Sequence, residues 1–542
     1  MARESEKTSG EASPHTSPHT SPQTPSETQN GAQTLVATLV GSGVEVCFAN
    51  PGTSEMHFVS ALDTIEGMRP VLCLFEGVAT GAADGYARMA GKPACTLLHL
   101  GPGFANGMAN THNARRAQSP VVNIVGDHAT YHERFNAPLT SNVVGFAEAI
   151  SHWTHRSRSA RTVAADAARA VQAARQAPGR VATLILPADT AWTPAERPAP
   201  PLEVCPPSRV ADGAVEAAAR ALRSGRKTAV LMRGAVLHGP GLSAAGCIAA
   251  KTGCTLLCDT FTPRMRAGAG LPVVEKLPYR GADILRLLGK YEQLLLVGAE
   301  PPVSFFAYPE QESWLTRPDC RILTLSHAHE DGDAALAALA EALDASVQGC
   351  GAPFAPPALP PEGPLTAEAV MRTVAALLPQ DAIVADEGIT STLPYTSLLA
   401  NAAAHDYLSL TGGAIGGILP LGTGAAVAAP GRKVIALEGD GSAMYTLQAL
   451  WTQAREKLDV VTVIYANRSY AVLNQELRLV QAASQGERAK SLLDLHDPSL
   501  DWVSLAAGMG VQAVRAETTQ AFAAAFAAAL GESGPRLIEA VI

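Results

Sequence analysis

Asp440 lies in a Gly-Asp-Gly turn within LEGDGSAMYTLQALW, and Asn467 follows one helix and one strand later in ANRSY. A carboxylate, an amide oxygen and a backbone carbonyl near Ser469 make an all-oxygen set, the ligand chemistry of a hard divalent cation such as magnesium. Two phosphate oxygens would complete its shell. The spacing predicts a buried strand over 433–437, a helix over 442–457 and a second strand over 460–465, so that Asp440 and Asn467 leave adjacent strand ends. Gly439 and Gly441 permit the turn, and the unpaired N–H groups at the start of the helix suit a phosphate oxygen. The site that these residues describe holds a diphosphate through a metal.

Other residues with chemistry lie far away in sequence. Glu76 follows an apolar run in LFEGVATGAADGYARMAGKPA, His99 ends another in LLHLGPGF, and Thr53 sits in the turn FANPGTSE. DEGITST places Thr390 and Ser391 after an apolar strand, at the expected start of a helix. GGAIGGILP is a glycine-rich turn into a further helix.

The run GDGSAMYTLQALWTQAR with NRSY resembles the cofactor motif of the thiamine diphosphate-dependent enzymes, in the branch of benzoylformate decarboxylase and acetolactate synthase. The resemblance extends to the EG…GYAR..GKP pattern around Glu76 and covers everything but the first 30 residues. It implies thiamine diphosphate and Mg2+ as cofactors, with Asp440, Asn467 and Ser469 at the metal. Cofactor contacts are implied for Pro51, Thr390, Gly413, Gly441, Ser442 and Tyr470. Ile415 stands where the family has a bulky apolar residue that bends the cofactor. Glu76 stands where the family glutamate, desolvated, shares a proton with the pyrimidine ring. His99 and Thr53 are implied to act on the substrate, as proton donor and carboxylate-orienting hydroxyl.

The resemblance also implies a non-oxidative decarboxylase of a 2-oxo acid with an apolar or aromatic side chain. The alternatives are an acetolactate synthase-like carboligase and a catalytically silent regulatory paralogue. In PPVSFFAYPEQ the residues Phe305, Phe306 and Tyr308 stand where benzoylformate decarboxylase has a second histidine, which points to a more apolar pocket. No flavin-contacting pattern is found over 228–350, so FAD is not expected. Family sites form between subunits, which implies a homodimer or homotetramer with Glu76 and Asp440 meeting across the interface.

Length and composition fit this scale. A chain of 542 residues with 47% hydrophobic and 17% charged residues can build about three domains. A net charge of -9 and the lack of a basic stripe argue against nucleic acid and anionic membrane as partners. Nine scattered cysteines without a CxxC pair indicate neither a disulfide framework nor a zinc ribbon. The Ser/Thr/Pro/His-rich segment 1–30 cannot bury a core and lacks the apolar stretch of a signal peptide, so a disordered tail and a cytoplasmic protein are expected. Proline-rich stretches near 196–208 and 351–364 divide the remainder into a pyrimidine-binding unit (31–195), a central unit (209–350) and a diphosphate-binding unit (365–542). Alternating apolar runs and helical stretches predict α/β architecture in each, three doubly wound parallel sheets in all.

Overall fold

The computed structural model describes residues 29–345, 350–480 and 486–542. The segment expected as a tail lies outside them except for Gln29 and Asn30, and Asn30 caps the first helix, Gly31–Gly41. Three sheets follow in chain order. The first contains β1 (Val46–Asn50), β2 (Arg69–Leu72), β3 (Ala94–Leu98), β4 (Val121–Asp127), β5 (Trp153–Arg156) and β6 (Val181–Pro187), in the order β2-β1-β3-β4-β6-β5. The second contains β7 (Thr228–Met232), β8 (Thr255–Cys258), β10 (Glu275–Lys276), β11 (Gln293–Val297) and β12 (Arg321–Ser326), in the order β10-β8-β7-β11-β12. The third contains β13 (Ile383–Asp386), β14 (His405–Ser409), β15 (Val434–Gly439), β16 (Val460–Ala466), β17 (Gln512–Ala516) and β18 (Arg536–Val541). Its order is β17-β18-β16-β15-β13-β14-β9, where β9 (Met265–Ala267) comes from the central segment and pairs antiparallel with β14. All other pairings are parallel, and the central strands are buried on both faces, as continuous apolar runs require.

Strand order matters for function because it reverses at one point in each sheet. In the first sheet β1 and β3 are neighbours, with Asn50 opposite Leu98, and the chain builds outward from them on both sides. β13 and β15 play the same part in the third sheet, with Asp386 opposite Leu437. Crevices open at the carboxyl ends of such strand pairs. The turn holding Thr53 and the residue His99 follow β1 and β3, while Glu387 and Asp440 follow β13 and β15.

Two helices join these sheets at close range. Glu76–Ala90 crosses Ile418–Ala428 at small residues: a Cβ on Gly85 would overlap the Leu421 carbonyl, and one on Gly424 would overlap that of Ala82. Within ADGYAR, Asp84 and Arg88 form a buried pair one turn apart, and Arg88 also donates to the carbonyls of Ser409 (2.7 Å) and Pro263 (3.1 Å). The guanidinium thus has carboxylate and carbonyl partners on every side, as a buried charge needs. Among the described residues no helix is long and apolar enough to cross a membrane.

Three local expectations change. The helix expected over 442–457 is broken into Asp440–Ala443 and Ala449–Glu456, because Thr446 turns its hydroxyl onto the Gly416 carbonyl (2.7 Å) instead of continuing the spiral. Glu76 opens a helix rather than ending a strand, since β2 stops at Leu72. After DEGITST the chain enters a 3-10 helix, Leu393–Asn401, so Thr390 and Ser391 occupy a turn ahead of it.

Candidate active site

The metal motif closes on itself through backbone donors. Asp440 accepts from the N–H of Gly441 (2.9 Å) and of Arg468 (2.6 Å), and Asn467 accepts from that of Ser469 (2.9 Å). Arg468 adopts the left-handed conformation (φ 54), which turns its N–H toward Asp440. Tyr470 packs its ring over Gly441, where a Cβ would come within 2.5 Å of it. Ser442 gives its hydroxyl to Glu438, and Ser469 gives its own to the Leu493 carbonyl (3.2 Å). Burial pushes the Asp440 carboxyl up to about 6, against the pull of its N–H donors. A buried carboxylate beside an amide oxygen, whose charge the N–H donors and the nearby Arg468 guanidinium offset only in part, suits a hard divalent ion that would restore its charge balance.

Sequence reasoning missed what surrounds this motif. Asp386, Glu387 and Glu438 are also buried at the ends of β13 and β15. Glu387 receives the N–H groups of Gly416 (2.8 Å), Gly417 (2.8 Å) and Ile418 (3.2 Å), yet burial still raises it to about 7. Glu438 is raised well above the usual carboxylate range, by burial first and by the Glu387 charge second. Two desolvated carboxyls in contact hold one proton between them, as like charges at close range must. Asp386 accepts from the Tyr407 hydroxyl, which in turn accepts from Lys276 Nζ (3.3 Å), brought in from the central segment by β10. The signal for this cluster was present: LEGDG and ADEG put acids at the ends of apolar strands, a costly arrangement without a purpose.

The glycine-rich segment is clamped by the helix Leu100–Ala117. His112 Nε2 lies 3.1 Å from the Gly412 carbonyl, and Asn113 Nδ2 donates to that of Ala414 (2.8 Å). Gly413 is exposed with φ 77, so only glycine fits there at no cost. Ile415 follows, partly buried, between this clamp and the Glu387 cradle. Ile389, just before Thr390, has φ 41; a β-branched side chain there is a strained conformation of the sort that clusters at ligand sites.

Around the first sheet, Glu76 is buried and accepts from Asn106 Nδ2 (3.1 Å). Gly103 lets the next helix approach: a Cβ on it would lie 2.9 Å from Glu76 Oε1 and 3.2 Å from the His99 Cβ. Glu76 Oε1 and the His99 backbone end thus flank the same glycine. His99 contacts the buried Glu55 through Nδ1 (2.8 Å), and Glu55 also accepts from the Ser54 hydroxyl (2.6 Å) and the Gly52 N–H (2.8 Å). A Cβ on Gly52 would overlap the His99 ring, which explains the glycine of NPG. Pro51 sits half-buried in the same turn, whereas Thr53 is exposed and its neighbour Ser54 makes the contact to His99 (3.2 Å). Glu55 and Asn106 were not singled out from sequence, because only the fold brings them to His99 and Glu76.

Comparison with known proteins shows the family. The model for the thiamine pyrophosphate enzyme N-terminal TPP binding domain matches residues 29–156, and that for the C-terminal TPP binding domain matches residues 394–540. The "Putative acetolactate synthase large subunit IlvX" of Mycobacterium tuberculosis is 50% identical over 93% of this chain and 97% of its own length. The chain belongs to the thiamine pyrophosphate-dependent enzymes. Benzoylformate decarboxylase of Pseudomonas aeruginosa is 29% identical over 92% of this chain and 96% of its own. The solved 4-hydroxybenzoylformate decarboxylase of Rhodococcus jostii shares the fold, with a TM-score of 0.81 at 24% identity over 94% of this chain and 98% of that one.

In this thiamine pyrophosphate-dependent enzyme Phe305, from the stretch expected to be apolar, packs against Tyr279 and Phe261. Tyr279 in turn lines a cleft of about 470 Å³ with Lys276, Ile389, Thr390, Leu393 and Val472. Phe305 and Phe306 are themselves exposed, and Tyr308 bonds to Glu476.

The buried carboxyls make stability depend on pH. Glu387 is raised in the folded chain from about 4.5 to about 7, so its contribution is complete below the unfolded value and is lost as pH rises through 7. The cofactor-free protein should lose about 2–3 kcal/mol between pH 5 and 8, read from denaturant unfolding. Glu438→Gln should flatten that slope; an equal slope in both proteins would contradict the shared proton.

Proposed function

We propose that the protein is a thiamine diphosphate- and magnesium-dependent, non-oxidative decarboxylase of a 2-oxo acid with an aromatic or apolar side chain. The observation that carries this reading is the buried Glu76 carboxyl, bonded to Asn106 at the start of its helix, together with His99 held at Nδ1 by Glu55 after the neighbouring strand. When bound, thiamine diphosphate would supply a nucleophilic carbon and an electron sink for the departing carbon dioxide. Glu76 Oε1 would hold the proton shared with the pyrimidine ring, in a pocket that Asn106 orients. His99, with Nδ1 engaged by Glu55, offers Nε2 for moving a proton at the substrate, the step that releases an aldehyde. Asp440, Asn467 and a carbonyl near Ser469 would hold Mg2+, Gly441, Ser442 and Thr390 would face the diphosphate, and Ile415 would prop the bent cofactor.

We also infer a homodimer or homotetramer. Within one chain Glu76 bonds to Asn106 and Asp440 to Gly441 and Arg468, each at its own sheet, so a partner subunit would supply the other half. Carboligation remains the second reading, favoured by the 50% identity to IlvX over nearly the whole chain. A silent paralogue is disfavoured by the presence of Glu76, Asp440 and Asn467 together.

A panel of 2-oxo acids assayed with the two cofactors for carbon dioxide, aldehyde and hydroxyketone separates these readings. Aldehyde as the main product supports decarboxylation; a hydroxyketone without aldehyde overturns it. Glu76→Gln should lower turnover about a thousandfold with little change in cofactor binding, and equal loss of both would remove Glu76 from its role.

A further inference from the structure

Ile415 is held through its neighbours. On one side, the Ala414 carbonyl accepts from Asn113 Nδ2 (2.8 Å) and the Ala414 N–H donates to Asn113 Oδ1 (3.2 Å). On the other, the Gly416 N–H donates to Glu387 Oε1 (2.8 Å) and the Gly416 carbonyl accepts from the Thr446 hydroxyl (2.7 Å). Hydrogen bonds on both flanks thus fix the backbone at Ile415, while its side chain is only partly buried. Gly416 also lies against the segment that follows Asp440: a Cβ on it would come within 2.9 Å of the Ser442 carbonyl and 2.5 Å of the Tyr445 Cβ.

Of these anchors Glu387 is the unusual one. Its Oε2 takes the N–H groups of Gly417 (2.8 Å) and Ile418 (3.2 Å), which open the helix Ile418–Ala428. Capping alone needs no such group, since a local Ser, Thr or Asn does it without burying a charge. Glu387 instead reaches across 29 to 31 residues of chain from the end of β13, where its own N–H is fixed to the Leu437 carbonyl (2.8 Å). Its side chain therefore carries the frame of the third sheet to the turn, through three charge-assisted bonds on two oxygens. The helix it opens is the one that crosses Glu76–Ala90, with Gly424 against the Ala82 carbonyl. A single buried group thereby spans the turn of Gly413 and Ile415 and the helix packed against that of Glu76.

We propose that Glu387 is a positioning residue for the cofactor: acting through Gly416, it sets where Ile415 and the Gly413 carbonyl stand against the bound aminopyrimidine, and so how readily the C2 hydrogen of thiamine diphosphate is removed. This rests on the proposed seat of the cofactor on Ile415, whereas the bonds of Glu387 to the turn stand by themselves. Glu387→Gln keeps the shape but replaces one acceptor oxygen by an NH2 group facing N–H groups, so the turn loses at least one bond. Asp440 and Asn467 take their N–H donors from Gly441, Arg468 and Ser469, so anchoring of the diphosphate should persist in that variant.

The test uses the full chain. In the cofactor-free protein, backbone amide exchange over 412–418 should quicken about tenfold in Glu387→Gln. In the protein loaded with magnesium and thiamine diphosphate, without substrate, deuterium exchange at C2 of the bound cofactor should slow at least about tenfold, while the cofactor Kd rises by less than about threefold. Glu387→Asp keeps the charge but falls short of the turn; it should behave alike, and it serves if Glu387→Gln does not fold. A double-mutant cycle with Ile415→Ala separates positioning from general loosening: the two changes should be non-additive in C2 exchange, the pair being little slower than Ile415→Ala alone. C2 exchange within about twofold of the unaltered protein in the Glu387 variants, or effects that add to those of Ile415→Ala, overturns the inference. Slowed, non-additive exchange in a protein that decarboxylates no 2-oxo acid would instead overturn the proposed reaction and leave the assignment of Glu387 standing.

Discussion

Negative charge is concentrated where β13 and β15 end. Asp386, Glu387, Glu438 and Asp440 converge within a few residues of one topological switch point, all of them desolvated. Four carboxylates cannot all ionise in such a place, and each is relieved differently. Asp386 has Tyr407 backed by Lys276, Glu387 has three consecutive N–H groups, Glu438 shares the proton of its neighbour, and Asp440 has two N–H groups and only the partial help of the Arg468 charge. The last of these leaves the charge deficit that a metal-bound diphosphate would use. Gly416, with positive φ, turns its N–H onto Glu387 and its carbonyl onto Thr446, and Lys276 enters from the central segment to reach Tyr407 and Ser409.

The first sheet solves a different problem at its own switch point. Few charges lie there, and they are set by close packing: Gly52 admits the His99 ring, Gly103 admits Glu76, and Gly126 admits Glu55. A Cβ at any of these positions would displace the group it faces, so these side chains are aimed by the absence of neighbouring side chains. The two solutions are complementary. Under the proposed function, one would hold an anion with its metal and the other would move a proton.

Much of this was legible in the chain. Asp440, Asn467 and Glu76 stand in short local motifs whose glycines and apolar flanks fix the turn, and the strands expected over 433–437 and 460–465 appear as Val434–Gly439 and Val460–Ala466. Contacts made by distant segments were not legible. Glu55 gains meaning only when β1 and β3 lie side by side, Glu476 only when Tyr308 reaches it, and the helix over 442–457 breaks because Thr446 finds the Gly416 carbonyl. Local periodicity favours a continuous helix there, and tertiary hydrogen bonding overrides it. In the turn that holds Thr53, the contact of Ser54 with His99 likewise depends on the pairing of the two strands.

The central claim is that the charge-rich half of one chain works with the proton-transfer half of another. Mixing two inactive proteins, Glu76→Gln and Asp440→Ala, and measuring turnover after subunit exchange tests it most directly. A mixed dimer with shared sites contains one site with both residues intact and one with neither, so activity should reappear at roughly a quarter of the unaltered level. If each chain builds its whole site alone, every site in the mixture lacks one residue, and activity that stays at the level of the separate variants would contradict the account.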